Sequence, residues 1–122
     1  MMNDNTSLLY VDDEELNLTV FKLSFRSKFD VMTAESGAEG LKILNENPQI
    51  KVVISDMKMP VMNGIEFIKL AKNDYPNVCF YILTAFEITE EIKDALKGGL
   101  INKYFRKPFN MNDIETSVKE IL

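Results

Sequence analysis

The sequence predicts an α/β fold, doubly wound around a five-stranded parallel sheet with a helix after each strand. Three observations carry that expectation. Short apolar runs alternate with segments of helical period from Leu8 to the end of the chain. The run Val52-Val53-Ile54 has no polar alternation, as expected of a strand covered by helices on both faces. Polar residues able to do chemistry stand where the apolar runs end: Asp12 and Asp13, Asp56, Thr84 and Lys107.

Each element has a local reason. Leu8–Val11 reads as the first strand, and a helix follows from about Glu14 to Arg26. Leu16, Val20 and Leu23 form its expected inner stripe, widened by Phe21 and Phe25. Val31–Ala34 is a short second strand. Ser36-Gly37-Ala38-Glu39 has the spacing of a capping box and starts a helix to about Asn47, stopped by Pro48. Val52–Ser55 is the third strand. Pro60 and Gly64 punctuate the loop before a helix over Ile65–Tyr75. Val78–Leu83 is the fourth strand. Thr89 caps the next helix, with Glu90 and Glu91 at its positive end and Gly98-Gly99 at its close. Lys103–Phe105 is a short fifth strand, and a last helix after Pro108 turns Ile114, Val118 and Ile121 inward.

A chain of 122 residues suits one compact domain, so residues 1–122 are read as a single unit with about 1–6 as an N-terminal tail. Hydrophobic residues at 46 % and charged residues at 27 % are ordinary for a globular protein. A net charge of −5 with no basic stripe argues against direct nucleic-acid binding. The absence of histidine excludes His-based catalysis and His-type zinc sites. The lone Cys79 lies in an apolar run and is read as a small buried hydrophobe. No apolar stretch reaches membrane-spanning length and the N-terminus lacks a signal pattern, so a cytoplasmic location without membrane contact is expected.

Right-handed crossovers place every C-terminal strand end on one edge of a parallel sheet. In open doubly wound sheets, ligands bind at that edge. Taken singly, each polar residue there has an ordinary explanation: an acidic cap, a loop threonine, a solvated lysine. Their joint arrival at one edge does not. Three carboxylates in one pocket raise each other's pKa unless a cation neutralises them, so the cluster implies a hard divalent metal and phosphoryl chemistry.

These residues carry a resemblance over essentially the whole chain. Asp12-Asp13-Glu14, Asp56-Met57-Lys58-Met59-Pro60-Val61-Met62-Asn63-Gly64, Thr84-Ala85 and Tyr104-Phe105-Arg106-Lys107-Pro108-Phe109 resemble the motifs of a response-regulator receiver domain of bacterial two-component signalling. Ala34-Glu35-Ser36-Gly37-Ala38-Glu39-Gly40-Leu41 is similar to the start of that family's second helix. The resemblance implies the flavodoxin-like strand order 2-1-3-4-5.

It also implies roles. Asp56 would be the phosphoacceptor, with Mg²⁺ held by Asp13, Asp56, Asp12 (directly or through water) and the backbone carbonyl of Lys58. Lys107 would pair with the phosphoryl group, aided by the Thr84 hydroxyl and the backbone at the small Ala85. The Lys107–Pro108 bond would be cis. Tyr104 would be the switch aromatic, moving as Thr84 is drawn to the phosphoryl oxygens and altering the face of the fourth helix, fifth strand and fifth helix. The implied partner is a histidine kinase or phosphotransfer protein, with an output domain beyond residue 122 if the chain is part of a longer one, and with that same face available for a homodimer. Phe86 and Lys58 depart from the commoner pattern and would rim the pocket. The stretch Gly98–Tyr104, one residue longer before the tyrosine than in many receivers, is similar to receivers fused to larger output modules, including cyclic-dinucleotide phosphodiesterases.

Two other readings compete. An aspartate-based phosphohydrolase more typically carries Asp-x-Asp and a substrate cap, for which this chain has no spare residues. A flavodoxin-like cofactor module needs a phosphate cradle after the first strand, where Asp12-Asp13-Glu14-Glu15 would instead repel phosphate.

Overall fold

The computed structural model describes residues 6–121. Strands and helices alternate throughout: β1 Ser7–Val11, α1 Glu15–Phe25, β2 Asp30–Ala34, α2 Gly37–Glu46, β3 Ile50–Asp56, α3 Gly64–Asp74, β4 Cys79–Thr84, α4 Glu90–Lys97, β5 Lys103–Arg106 and α5 Met111–Glu120. The sheet is parallel, in the order β2-β1-β3-β4-β5. This is the expected flavodoxin-like α/β architecture. Most of the expected tail falls on residues 1–5, outside the described residues, whereas Thr6 is buried and its carbonyl accepts from Asp30 N–H.

Strand side chains alternate between faces, and both faces are covered. Leu9, Val11, Val53, Phe80 and Ile82 pack with Leu44, Phe67, Ile68 and Ile92 of α2, α3 and α4. Leu8, Tyr10, Val52, Ile54, Tyr81 and Leu83 pack with α1 and α5 through Phe21, Phe25, Ile114 and Val118. The second layer is rich in aromatic rings: Tyr10 stacks on Phe21 at 4.2 Å between centroids, and Phe109 lies 5.6 Å from Phe25.

The inner face of α1 matches the expected one at Phe21 and Phe25 but not at Leu16, Val20 and Leu23. Leu18, Phe21 and Phe25 point into the core, while Leu16, Val20 and Leu23 are exposed by 72 %, 46 % and 56 %. Both triplets have helical spacing, and the one carrying two phenylalanines buries more apolar area. Ile121 likewise stands partly exposed beyond α5, whose inner residues are Ile114, Ser117 and Val118. Cys79 opens β4 and is half-buried rather than buried.

Caps explain the helix starts. Ser36 accepts from Glu39 N–H, one half of the expected capping box, whereas the complete reciprocal box stands at Asn63 and Glu66, where α3 begins. Thr89 accepts from Ile92 N–H at the start of α4. Asn110 caps α5, which begins after Pro108 as expected, accepting from Asp113 N–H. Gly64 is required by close approach: a Cβ there would clash with the Asp56 carbonyl oxygen, because α3 starts directly against the end of β3.

Candidate functional site

The register of the sheet assembles the site. Val11 pairs with Ser55, so Asp12 follows β1 beside Asp56, the last residue of β3. Asp56 pairs with Leu83 and Thr84 with Arg106, which brings Thr84 and Lys107 to the same edge. The Lys107 N–H then donates to the Thr84 carbonyl at 2.8 Å. One carboxylate oxygen from each of Asp12, Asp13 and Asp56 lies within 4.8 Å of the others. Asp12 and Asp56 are buried and Asp13 is exposed.

Lys107 spans the cluster. Its Nζ lies 2.9 Å from Asp12 Oδ2 and 3.3 Å from Asp56 Oδ1. Burial pulls the lysine down, but the hydrogen bond to Asp12 and the charges of Asp56 and Asp12 outweigh it, so it stays protonated above the ordinary lysine value. Asp12 is also subject to burial, which raises it. Hydrogen bonds from Tyr10, from Glu14 N–H and from Lys107 overcome that and hold its carboxyl below the usual range. Asp56 has no such set of donors. Burial, only partly opposed by Lys107, and the repulsion of Asp12 and Asp13 push it up to about 6.

The cluster therefore holds more negative charge than Lys107 alone compensates. Its donors are carboxylate oxygens at a cleft edge, a set that fits Mg²⁺ better than a soft metal. Asp13 is exposed and Asp56 is engaged by Lys107 at Oδ1, which leaves both able to face such an ion. Asp12 is already engaged by four donors, so it suits a part through water or a remaining lone pair. Lys58 follows Asp56 by two residues in the β3–α3 loop, where its backbone can contribute.

The other expected residues are placed as follows. Thr84 is buried at the end of β4, and its hydroxyl oxygen accepts from Phe86 N–H at 3.1 Å. Ala85 is exposed beside it. Tyr104 pairs with Ile82 and so lies on the same sheet face as Thr84, diagonally across, with 36 % of its surface exposed. The Lys107–Pro108 peptide is cis. The Lys58 ammonium sits over the Phe86 ring at 4.5 Å from its centroid, so these two rim residues touch.

Sequence reasoning missed Tyr10 and Asn17. The Tyr10 hydroxyl donates to Asp12 Oδ2 at 2.6 Å, and the Asn17 amide donates to the same oxygen at 3.1 Å. Burial first, and then the hydrogen bond and charge of Asp12, drive the Tyr10 phenol far above its ordinary value. A tyrosine inside an otherwise aliphatic strand was the available signal, because a buried phenol must find an acceptor.

Fold and site together define a receiver. Residues 8–119 match the family model described as "Response regulator receiver domain", and the chain belongs to that family. A receiver is not a conventional enzyme, and its acidic pocket is the family's Mg²⁺ site. Among curated relatives, the chain is 34 % identical over 119 residues to a "Chemotaxis protein CheY homolog" of Campylobacter jejuni, covering 94 % of this chain and 91 % of that one. It is also 40 % identical over 90 residues to the "Uncharacterized transcriptional regulatory protein YesN" of Bacillus subtilis, covering 73 % of this chain but 24 % of that longer protein. Among solved structures, a response regulator receiver domain protein from Clostridium thermocellum superposes with a TM-score of 0.88 at 33 % identity, covering 95 % of this chain and 93 % of that one. Among the described residues, no helix is long and apolar enough to cross a membrane.

Proposed function

We propose that this chain is a phosphorylation-driven signalling switch in which Asp56 accepts a phosphoryl group from a histidine kinase or a phosphotransfer protein. The observation that carries the reading is the position of Lys107, whose ammonium lies between Asp12 and Asp56 at an edge holding three acids. A carboxylate attacks a phosphoryl group poorly because both are anionic. A divalent cation held by Asp13, Asp56 and the Lys58 carbonyl supplies charge neutralisation at the reacting oxygens.

The chain's own groups do the rest. An Asp56 carboxylate oxygen attacks phosphorus, an O–P bond forms, and the bond from phosphorus to the donor's nitrogen breaks. The donor nitrogen keeps that electron pair. Lys107 offers an ammonium 3.3 Å from Asp56 Oδ1 to compensate the charge that arrives. Thr84 can give up its bond from Phe86 N–H and turn its hydroxyl proton to a phosphoryl oxygen, with backbone N–H groups near Ala85 as further donors.

Movement of Thr84 opens space on the sheet face it shares with Tyr104. Inward rotation of that half-exposed ring would change the surface made by α4, β5 and α5. Leu96 and Tyr104 give this surface apolar area for an output partner, an attached domain beyond residue 122, or a second copy of the chain. On the other flank, exposed Leu16 and Val20 line a groove with Met111 that reaches Lys107 and Pro108. A protein bringing a phosphoryl group to Asp56 would bury this groove. Such a partner places the domain in the cytoplasm.

The deciding experiment is incubation with Mg²⁺ and acetyl phosphate followed by intact-mass measurement. One phosphoryl adduct per chain, absent in Asp56→Asn, supports the switch. Continuous hydrolysis with no adduct supports an aspartate-based phosphohydrolase. Neither adduct nor hydrolysis would favour a flavodoxin-like binding module.

A further inference from the structure

We propose that Tyr10 is a positioning residue for Lys107: its phenol, together with the Asn17 amide, keeps the buried charge of Asp12 partnered so that the lysine can leave Asp12 for a phosphoryl group on Asp56. The inference rests on the switch reading above and concerns residues outside the motifs that support it.

Asp12 has no exposed surface. Its Oδ2 accepts three bonds: from Tyr10 at 2.6 Å, from Lys107 at 2.9 Å and from Asn17 at 3.1 Å. Its Oδ1 accepts from Glu14 N–H at 3.0 Å. At rest the lysine is closer to Asp12 than to Asp56, where it lies at 3.3 Å. A phosphoryl group on Asp56 draws the ammonium that way. Were Lys107 the main partner of Asp12, this move would leave a buried anion short of its main partner, which is strongly unfavourable.

Tyr10 prevents that. The 2.6 Å O–H···O distance is that of a charge-assisted bond. The ring is 1 % exposed and stacked on Phe21, so the hydroxyl cannot swing away from Asp12. Asn17, on the first turn of α1, adds a second neutral donor. Neutral donors hold the carboxylate without competing for a phosphoryl anion. Tyr10 thus sets how readily Lys107 is released.

The test separates binding of the cation from binding of a phosphoryl-like anion. Mg²⁺ affinity is measured alone, and the affinity for beryllofluoride, a phosphoryl-shaped anion, is measured at saturating Mg²⁺. Tyr10→Phe is expected to weaken beryllofluoride roughly tenfold, the size of one lost hydrogen bond to a charged group. Its Mg²⁺ affinity should be unchanged or tighter. Asn17→Ala should move both in the same directions by a smaller factor. Tyr81→Phe is the control, because Tyr81 is also buried and its hydroxyl donates to the Ser117 carbonyl, away from the site; it should change neither affinity. In a Lys107→Met background, Tyr10→Phe should cause no further loss.

Beryllofluoride affinity unchanged in Tyr10→Phe, or lost equally in Tyr81→Phe, would overturn the inference. If Tyr10→Phe does not fold, an unaltered Asn17→Ala protein overturns it. Failure of the wild-type chain to bind beryllofluoride would overturn the switch reading and this inference together, so the two failures are distinguishable.

Discussion

The Lys58 ammonium rests 4.5 Å from the centroid of the Phe86 ring, joining the loop after β3 to the loop after β4. Phe86 is 54 % exposed, so this contact, not core packing, holds the ring beside the cavity it lines with Met57, Asn63 and Thr84. A cation–π contact at an exposed site contributes about 0.5–1 kcal/mol. If the pair limits access of water to phosphorylated Asp56, Phe86→Ala should speed phosphate loss by roughly two- to fivefold, the rate equivalent of that energy. Single-turnover decay of the phosphorylated chain reads this directly, and a rate equal to wild type would show that the pair does not limit access.

Asp56 predicts a stability that depends on pH. Its carboxyl is raised to about 6 in the folded chain, against an ordinary value of 3.8 when unfolded. The folded state therefore keeps this proton to higher pH than the unfolded state does. The resulting stabilisation is fully present below the unfolded value and is lost as pH rises through about 6. Asp12 works in the opposite sense, since its lowered carboxyl loses stabilisation only as pH falls below the ordinary range. With metal chelated, Asp56→Asn should be more stable than wild type at pH 7 by about 2–3 kcal/mol. Urea unfolding at several pH values should show the gap closing toward pH 4, and Mg²⁺ should narrow it at pH 7.

Val61 predicts a local gain. It has φ of +69° in the β3–α3 loop, a conformation unfavourable for a β-branched residue, and its side chain is fully exposed. Val61→Gly removes the strain and gives up no packing. After the entropy cost of glycine, a stabilisation of about 0.5–1 kcal/mol is expected from the urea midpoint.

The two stripes of α1 can be told apart by truncation. Phe21→Ala removes a fully buried ring and should cost about 3–5 kcal/mol. Leu23→Ala, on the exposed side, should change stability by less than about 0.5 kcal/mol. Equal losses would contradict the assigned face.

Much of this was legible because apolar runs stop abruptly at polar residues. The ends of β1, β3 and β4 carry Asp12, Asp56 and Thr84, and parallel connection then forces them to one edge. What could not be read depends on choices that spacing leaves degenerate. Leu16-Val20-Leu23 and Leu18-Phe21-Phe25 are both helical stripes, and only packing against β1 and α5 selects between them. The bond from Tyr10 to Asp12 joins residues two apart in sequence, yet its direction follows from which face of β1 is turned toward α1 and Lys107. The contact between Lys58 and Phe86 joins two loops, whose relative placement the sequence pattern does not encode.

Charge placed at Asp56 is expected to change a surface some distance away through Thr84 and Tyr104. Amide spectra of ¹⁵N-labelled chain, recorded with Mg²⁺ before and after acetyl phosphate, test it most directly. Shifted resonances are expected at Asp56, Thr84 and Lys107 and also along α4 and β5 through Tyr104, with the distant set much reduced in Thr84→Ala. Shifts confined to the pocket, or distant shifts that persist undiminished in Thr84→Ala, would contradict it.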